Sequence, residues 1–311
     1  MSMEVRAKKA LGQHFLTDQD IARRIVGALQ GSPVLEVGPG MGVLTQYLIP
    51  SLAGQAPEPG RIHSRFAAAE CGLSSAPAPA TQLKAVEIDK ESVAYLKKHF
   101  PELGDGLIEG DFLKMDLGSL FPGQFSIIGN FPYNISSQIF FKIIDNRDLV
   151  PEVVCMVQKE VAERIAEKPG TKTYGILSVF LQAWYDIEYL FTVGSGAFNP
   201  PPKVQSAVIR LTRNSRTSLR CDEKLFRSVV KTAFGQRRKT LRNSLKPLIQ
   251  KAGALSGPGR VHSRSAAAEC GLSPAAAPAS AAEAPVLDLR PERLSVEDFI
   301  ALTLLIFPPN G

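Results

Sequence analysis

The sequence predicts a doubly wound α/β domain followed by a smaller helical domain, and three observations carry that prediction. "PVLEVGPGMGVLTQYLI" (33–49) reads as a buried strand, a glycine-rich turn and the start of an amphipathic helix. "LKAVEID" (83–89) and "GLIEGDFLKMDL" (106–117) read as two more strands, each ending in an acidic residue. Beyond residue 200 the chain turns basic and its apolar residues fall at helical spacing.

Taken in order, "DQDIARRIVGAL" places Ile21, Ile25 and Leu29 on one face after a Thr17–Asp18 cap, which predicts an N-terminal helix. Gly38, Gly40 and Gly42 follow the first strand, where positive φ and close backbone approach let a ligand reach the helix N-terminus. A lone GxGxG is weak evidence, because tight structural turns also use glycine. Here Glu36 precedes the first glycine. Its carboxylate would repel a pyrophosphate and suit an ammonium-bearing ligand such as S-adenosylmethionine.

Glu87 ends the second strand, where a doubly wound fold places an acid on ribose hydroxyls about 20 residues past the glycines. It stands 49 residues past Gly38. The excess is explained by a duplicated segment: "GRIHSRFAAAECGLSSAPAPA" (60–80) recurs as "GRVHSRSAAAECGLSPAAAPA" (259–279) with four differences. Both copies are Ala-, Pro- and Ser-rich, a composition that offers little to bury, and both read as flexible insertions, about 53–80 and about 256–285. Removing the first leaves about 21 residues, close to the expected spacing.

Asp111, ending "IEGD", is placed to accept from an adenine exocyclic amine, or else simply caps a turn. In "IIGNFPYNISS" (127–137), Ile127 and Ile128 end a buried strand and Pro132 forbids its continuation. Asn130 and Tyr133 are thereby held at a strand's C-terminal end, where an amide and a flat ring could grip something planar and nitrogenous. "GILSVFLQAWYDIEYLFTV" and "KVQSAVIRLTR" supply later helix and strand around the "FNPPPKV" loop, and Ser295 and Asp298 cap a closing helix over 294–307.

Hydrophobic residues make up 44% and charged residues 21%, as in a soluble globular protein. No apolar run nears the roughly 20 residues of a membrane span, and the first residues lack a signal-peptide core. The cytoplasm is the expected compartment. Cys71, Cys155, Cys221 and Cys270 form no CxxC pair, so neither a metal site nor a disulfide framework is expected. From Pro200 to Leu255 there are 14 Lys or Arg against two acids, which points to a polyanionic partner, nucleic acid before membrane.

"KKALGQHFLTD", "VLEVGPGMGVLT", "VEID", "EGDFL", "NFPYNIS", "FNPPPKVQSAVIRL" and "FGQRRKTLRNSL" occur in that order. Together they resemble the small-subunit (16S) ribosomal RNA adenine N6,N6-dimethyltransferase family over nearly the whole chain except the two repeats. The resemblance implies a Rossmann-like S-adenosylmethionine-dependent methyltransferase domain over 1–200, and a helical RNA-binding domain over 201–311. It implies dimethylation of adjacent adenosines in a hairpin loop near the 3′ end of 16S rRNA, contributing to subunit biogenesis. A monomer is the simpler expectation, and no metal is needed because the sulfonium is itself an activated leaving group.

By the same resemblance His14 and Leu16 close over the cofactor, Gly38 and Gly40 approach its methionine part, Glu87 takes the ribose and Asp111 the adenine. Relatives often carry Asn where His14 stands. Asn130 borders cofactor and target base. Its side-chain oxygen, with a backbone carbonyl near Phe131 or Pro132, accepts from the target amine, while Tyr133 stacks on the base and Phe198 offers a second face. Lys203, Arg237, Arg238, Lys239, Arg242 and Lys246 contact RNA. The last five are expected on one helical stretch of 231–246, above buried Phe234, Leu241 and Leu245. The "NFPY" grip would equally suit a DNA adenine, and a non-catalytic assembly factor is the other rival. The basic segment and the complete motif series favour RNA methylation.

Overall fold

The computed structural model describes residues 5–54, 82–256 and 285–308. Most of both predicted insertions, with Cys71, Cys270, His63 and His262, lies outside the described residues. The chain divides into two compact units, one of residues 1–162 and 186–213, the other of 163–185 and 214–311. A single cut at residue 200 was expected. The division departs from it because the late strand 206–213 pairs into the first unit's sheet, while 163–185 leaves for the second.

In the first unit, a seven-stranded sheet contains β2 (Val34–Val37), β3 (Leu83–Glu87), β4 (Leu107–Glu109), β5 (Ser126–Asn130), β6 (Glu152–Gln158), β7 (Tyr185–Val193) and β9 (Ser206–Arg213). Their order is β4-β3-β2-β5-β6-β9-β7. The first five are mutually parallel, and β9 runs antiparallel to β6, with Cys155 opposite Ile209. Largely apolar strands such as "VLEV" and "SIIG" suit cover on both faces, and every residue of β2 is buried, Glu36 included. Helices α1 (Gln19–Gly27), α2 (Thr45–Leu52), α3 (Lys90–His99) and α4 (Ser136–Asp145) supply that cover. Asp18 caps α1 by accepting from the Asp20 and Ile21 amides, as its sequence foretells.

Strand order reverses between β2 and β5, so their C-terminal ends diverge and open a crevice. Buried Glu152 fixes the opposite end of the sheet, accepting from the Gln30 and Gly31 amides and the Ser126 hydroxyl. A separate two-stranded ladder joins β1 (Phe15–Leu16) to β8 (Phe198–Asn199), with Leu16 opposite Phe198.

The second unit contains α6 (Ile176–Gln182), α7 (Glu223–Gly235), α8 (Leu241–Ser244), α9 (Lys246–Ser256) and α10 (Val296–Ile306); α5 (Lys159–Ala166) spans the boundary at residue 162. Ser295 and Asp298 form the expected capping box on α10. Phe234, Leu241 and Leu245 are buried, as their spacing predicts. The single helical stretch expected over 231–246 is instead broken: α7 stops at Gly235, and extended Thr240 precedes the short α8. The low helix propensity of Gly235 favours that termination.

Candidate active site

Four strand ends and the N-terminal segment enclose a cavity of about 310 Å³ in the first unit, a volume suited to a small ligand. Its walls are residues 10–16, the turn after β2, Val86–Ile88 at the end of β3, Gly110–Leu113 after β4, and Asn130–Ile135 from the end of β5.

The glycine turn is built by steric need. Gly38, Gly40 and Gly42 all have positive φ (69°, 58° and 77°). A Cβ on Gly42 would lie 2.3 Å from the Phe100 ring, whereas one on Gly38 would meet no protein atom within 4 Å. Gly38, on the cavity wall, is therefore kept bare for whatever occupies the cavity.

Two acids flank this turn. Glu87 is buried and already accepts from the amides of Gly40 (3.0 Å), Ile88 and Asp89 (2.9 Å each). Burial raises its pKa, opposed by those three bonds. Glu87 lines the cavity and also knits the glycine turn to β3, a second role its sequence does not reveal.

Glu36 is 1% exposed. Its Oε2 accepts from the Thr45 hydroxyl at 2.6 Å, and its Oε1 has no hydrogen-bond partner among the described residues. Burial, opposed by the Thr45 hydroxyl and reinforced by the charge of Glu87, pushes its carboxyl up to about 8. An unsatisfied carboxyl oxygen on a cavity wall is poised for a cationic or donating ligand.

Asp111 does two things at once. Its Oδ1 caps the turn Phe112–Lys114 by accepting from the Leu113 amide at 2.9 Å, and the residue also lines the cavity. Capping and ligand-facing roles need not compete, since the carboxylate has a second oxygen.

After β5 the two aromatics around Pro132 diverge. The Phe131 ring is fully buried and meets Phe140 edge-on, with centroids 5.8 Å apart. Such burial contributes roughly 2–3 kcal/mol and anchors the turn. Tyr133 lines the cavity, its ring 5.4 Å from that of His14 and its hydroxyl 2.5 Å from the Ser206 hydroxyl. Asn130 Nδ2 donates to the His14 carbonyl at 3.0 Å. The His14 Nδ1–H donates to the Pro200 carbonyl at 2.9 Å, and Lys8 pairs with buried Asp89 and with Glu91 (3.1 Å). These bonds hold the N-terminal segment as one wall.

His14, Leu16, Gly38, Gly40, Glu87, Asp111, Asn130, Pro132 and Tyr133 thus all line one cavity. Phe198 does not. It is 4% exposed and packs in the core beneath the β1–β8 ladder, so its ring offers no open face. Lys203 is exposed on the first unit. In the second unit Arg238, Lys239 and Lys246 are exposed, but Arg237 donates to the Thr171 and Lys172 carbonyls and Arg242 pairs with Asp288 at 2.9 Å. Those two arginines serve the unit's own structure. Sequence reasoning missed Thr45, Ser206 and Lys142 (below), because their bonds join residues distant in sequence or hidden within a helix.

Among the described residues no cluster of His, Cys, Asp and Glu could hold a metal ion, and no helix is long and apolar enough to cross a membrane.

A glycine turn beneath a crevice at the strand switch point, with an acid at or just after the end of each of the next two strands, marks a Rossmann-like nucleotide-binding fold. Solved structures agree on the fold: a dimethyladenosine transferase from Plasmodium falciparum matches with TM-score 0.65 and 24% identity over 93% of this chain and 96% of its own. The 23S rRNA methyltransferase ErmE matches with TM-score 0.54 and 23% identity over 94% and 99%. The family described as ribosomal RNA adenine dimethylase matches residues 4–53 and 78–262, an interruption that coincides with the first repeat. This chain belongs to that family. Among its relatives, "Ribosomal RNA small subunit methyltransferase A" of Parabacteroides distasonis is 52% identical over 97% of this chain and 94% of its own length. The protein of the same name from Cytophaga hutchinsonii is 50% identical over 97% and 98%.

Proposed function

We propose that this protein transfers methyl groups from S-adenosylmethionine to N6 of adjacent adenosines near the 3′ end of 16S rRNA, forming N6,N6-dimethyladenosine. The observation that carries the reading is the Asn130–His14 bond. With its Nδ2 committed to a backbone carbonyl at 3.0 Å, Asn130 has its Oδ1 left to accept from a ligand at the cavity wall.

The cavity fits the cofactor. The unsatisfied Oε1 of buried Glu36 suits its ammonium, and bare Gly38 allows close approach. Glu87 and Asp111, on successive walls, suit ribose and adenine, and His14 and Leu16 cover it from the N-terminal segment. When bound, S-adenosylmethionine supplies a methyl group on a positively charged sulfur, an activated leaving group.

The chain's own residues orient the acceptor. An adenine N6 is a weak nucleophile because its lone pair is delocalised into the ring. Asn130 Oδ1 takes one amine hydrogen. The Pro132 carbonyl already accepts the Ile135 amide at 3.2 Å, which makes the Phe131 carbonyl the better second acceptor. Holding both hydrogens favours a pyramidal nitrogen, and such orientation contributes several kcal/mol without a strong base. Tyr133 stacks on the extruded base, held by Ser206; that stacking contributes roughly 1–3 kcal/mol. Lys203, Arg238, Lys239 and Lys246 take phosphates and set position rather than sequence. The protein acts as a monomer in the cytoplasm.

Expression of this chain in bacteria lacking their own 16S adenine dimethyltransferase tests the reading. Mass spectrometry of the 16S rRNA should show dimethyladenosine restored at the 3′ hairpin. Unmodified adenosines there, with the protein folded and bound to subunits, would favour a pure assembly factor.

A further inference from the structure

Lys142 lies on α4, outside every motif of the site, yet its ammonium reaches the cavity wall built by the β4 turn. Its Nζ donates to the Leu113 carbonyl at 2.9 Å and to the Met115 carbonyl at 2.5 Å, and stands 5.7 Å from the centre of the Phe112 ring. The turn Phe112–Lys114 is thus gripped at both ends. Asp111 Oδ1, from the residue before the turn, satisfies the Leu113 amide, and Lys142 satisfies the carbonyls of Leu113 in its middle and Met115 just beyond it. A single-turn helix has few bonds of its own, so its end groups decide its orientation. Half-buried, Lys142 replaces its missing hydration with these carbonyls and with the nearby charges of Asp111 and Asp116.

We propose that Lys142 is a positioning residue for cofactor recognition. By clamping the turn it aims Oδ2 of Asp111, which among the described residues pairs only with the exposed Lys114 ammonium (3.7 Å), and the Phe112 wall at the purine, and so sets selectivity for a purine bearing a 6-amino group. The proposal rests on Asp111 accepting from that amine. Asp111 spends Oδ1 on the cap, so Oδ2, paired only loosely with exposed Lys114, is the oxygen left to meet the ligand. A rotation of the turn would carry that oxygen away while leaving the cavity open.

The test uses the full-length protein and two probes, S-adenosylhomocysteine and its 6-oxo counterpart S-inosylhomocysteine, with binding measured by calorimetry. Lys142→Met keeps the stem but removes all donors, and Lys142→Arg keeps donors; melting curves screen both for folding. Lys142→Met should weaken the adenosyl probe about tenfold while changing the inosyl probe less than twofold. Lys142→Arg should recover part of the loss. Asp111→Asn combined with Lys142→Met should cost no more than Asp111→Asn alone, since both act through one hydrogen bond. Equal weakening of both probes by Lys142→Met, or additive effects in the double variant, would overturn the proposal. If Asp111→Asn itself left the preference for the adenosyl probe intact, the assignment of Asp111 to the amine would fall, and this proposal with it. A loss of preference in Asp111→Asn but not in Lys142→Met would overturn the role of Lys142 alone. Should Lys142→Met fail to fold, the same comparison is read from Lys142→Gln.

Discussion

The side-chain amide of Asn130 donates to the main-chain carbonyl of His14 at 3.0 Å, and that bond decides which end of the amide is left for a ligand. Because the acceptor is backbone, the arrangement tolerates His or Asn at position 14. Asn130→Ala should lower kcat about 100-fold, the scale expected when an orienting hydrogen bond is removed, with cofactor affinity changed only a few-fold. Single-turnover assays with separate calorimetry make the check. An equal loss in kcat/KM carried wholly by KM would argue for a binding role instead.

Gly38 and Gly42 differ in what surrounds them, so the same substitution should act differently. Gly38→Ala meets no protein atom, but φ of 69° costs about 1 kcal/mol and its methyl enters the cavity. Cofactor affinity should fall at least tenfold with a modest drop in melting temperature. Gly42→Ala collides with the Phe100 ring and should chiefly destabilise the protein. Paired melting and calorimetric titrations separate the two.

Glu36 gives the site a pH dependence whose sign is fixed. Its carboxyl ionises at about 8 in the fold. In the unfolded chain a glutamate ionises near about 4.3. Folding therefore binds a proton between those values, and this group's contribution to stability falls as pH rises through that window. Glu36→Gln should raise the melting temperature of the ligand-free protein at neutral pH, by up to about 3 kcal/mol of stability. An ammonium ligand favours the ionised carboxylate, so cofactor binding to the native protein should strengthen from about pH 6 to about pH 7.5 with proton release. That slope should vanish in Glu36→Gln.

Arg238, Lys239 and Lys246 are exposed, whereas Arg237 and Arg242 are engaged within their own unit. Changing the first three to Ala should weaken RNA binding and reduce the salt-dependence slope by about 2–3, or about 0.7–0.9 for each phosphate no longer neutralised. Arg237→Ala should instead lower the melting temperature. Filter binding at several salt concentrations provides the comparison.

Much of the first unit was legible because its signals are local. The apolar strands, the glycine turn, the Asp18 cap and the proline after Asn130 each act within a few residues, as does the Ser295 cap in the second unit. What escaped was long-range. The pairing of Leu16 with Phe198 turns that aromatic into core, and no local pattern reveals a ladder between residues 182 apart. The break after Gly235 was hidden by a basic run that reads as one helix, although a glycine within it carried the warning. Glu87 stands on the cavity wall. Its three backbone bonds could not be read, since they depend on how the turn after β2 curls back over β3.

The central claim is that N6 methylation is centred on Asn130. The measurement that tests it most directly is transfer of isotopically labelled methyl from S-adenosylmethionine to undermethylated small subunits, with product nucleosides resolved by mass spectrometry. The account expects labelled N6,N6-dimethyladenosine in 16S rRNA with the native protein and its near-complete loss in Asn130→Ala. Label in a different nucleoside, or undiminished dimethyladenosine from Asn130→Ala, would contradict it.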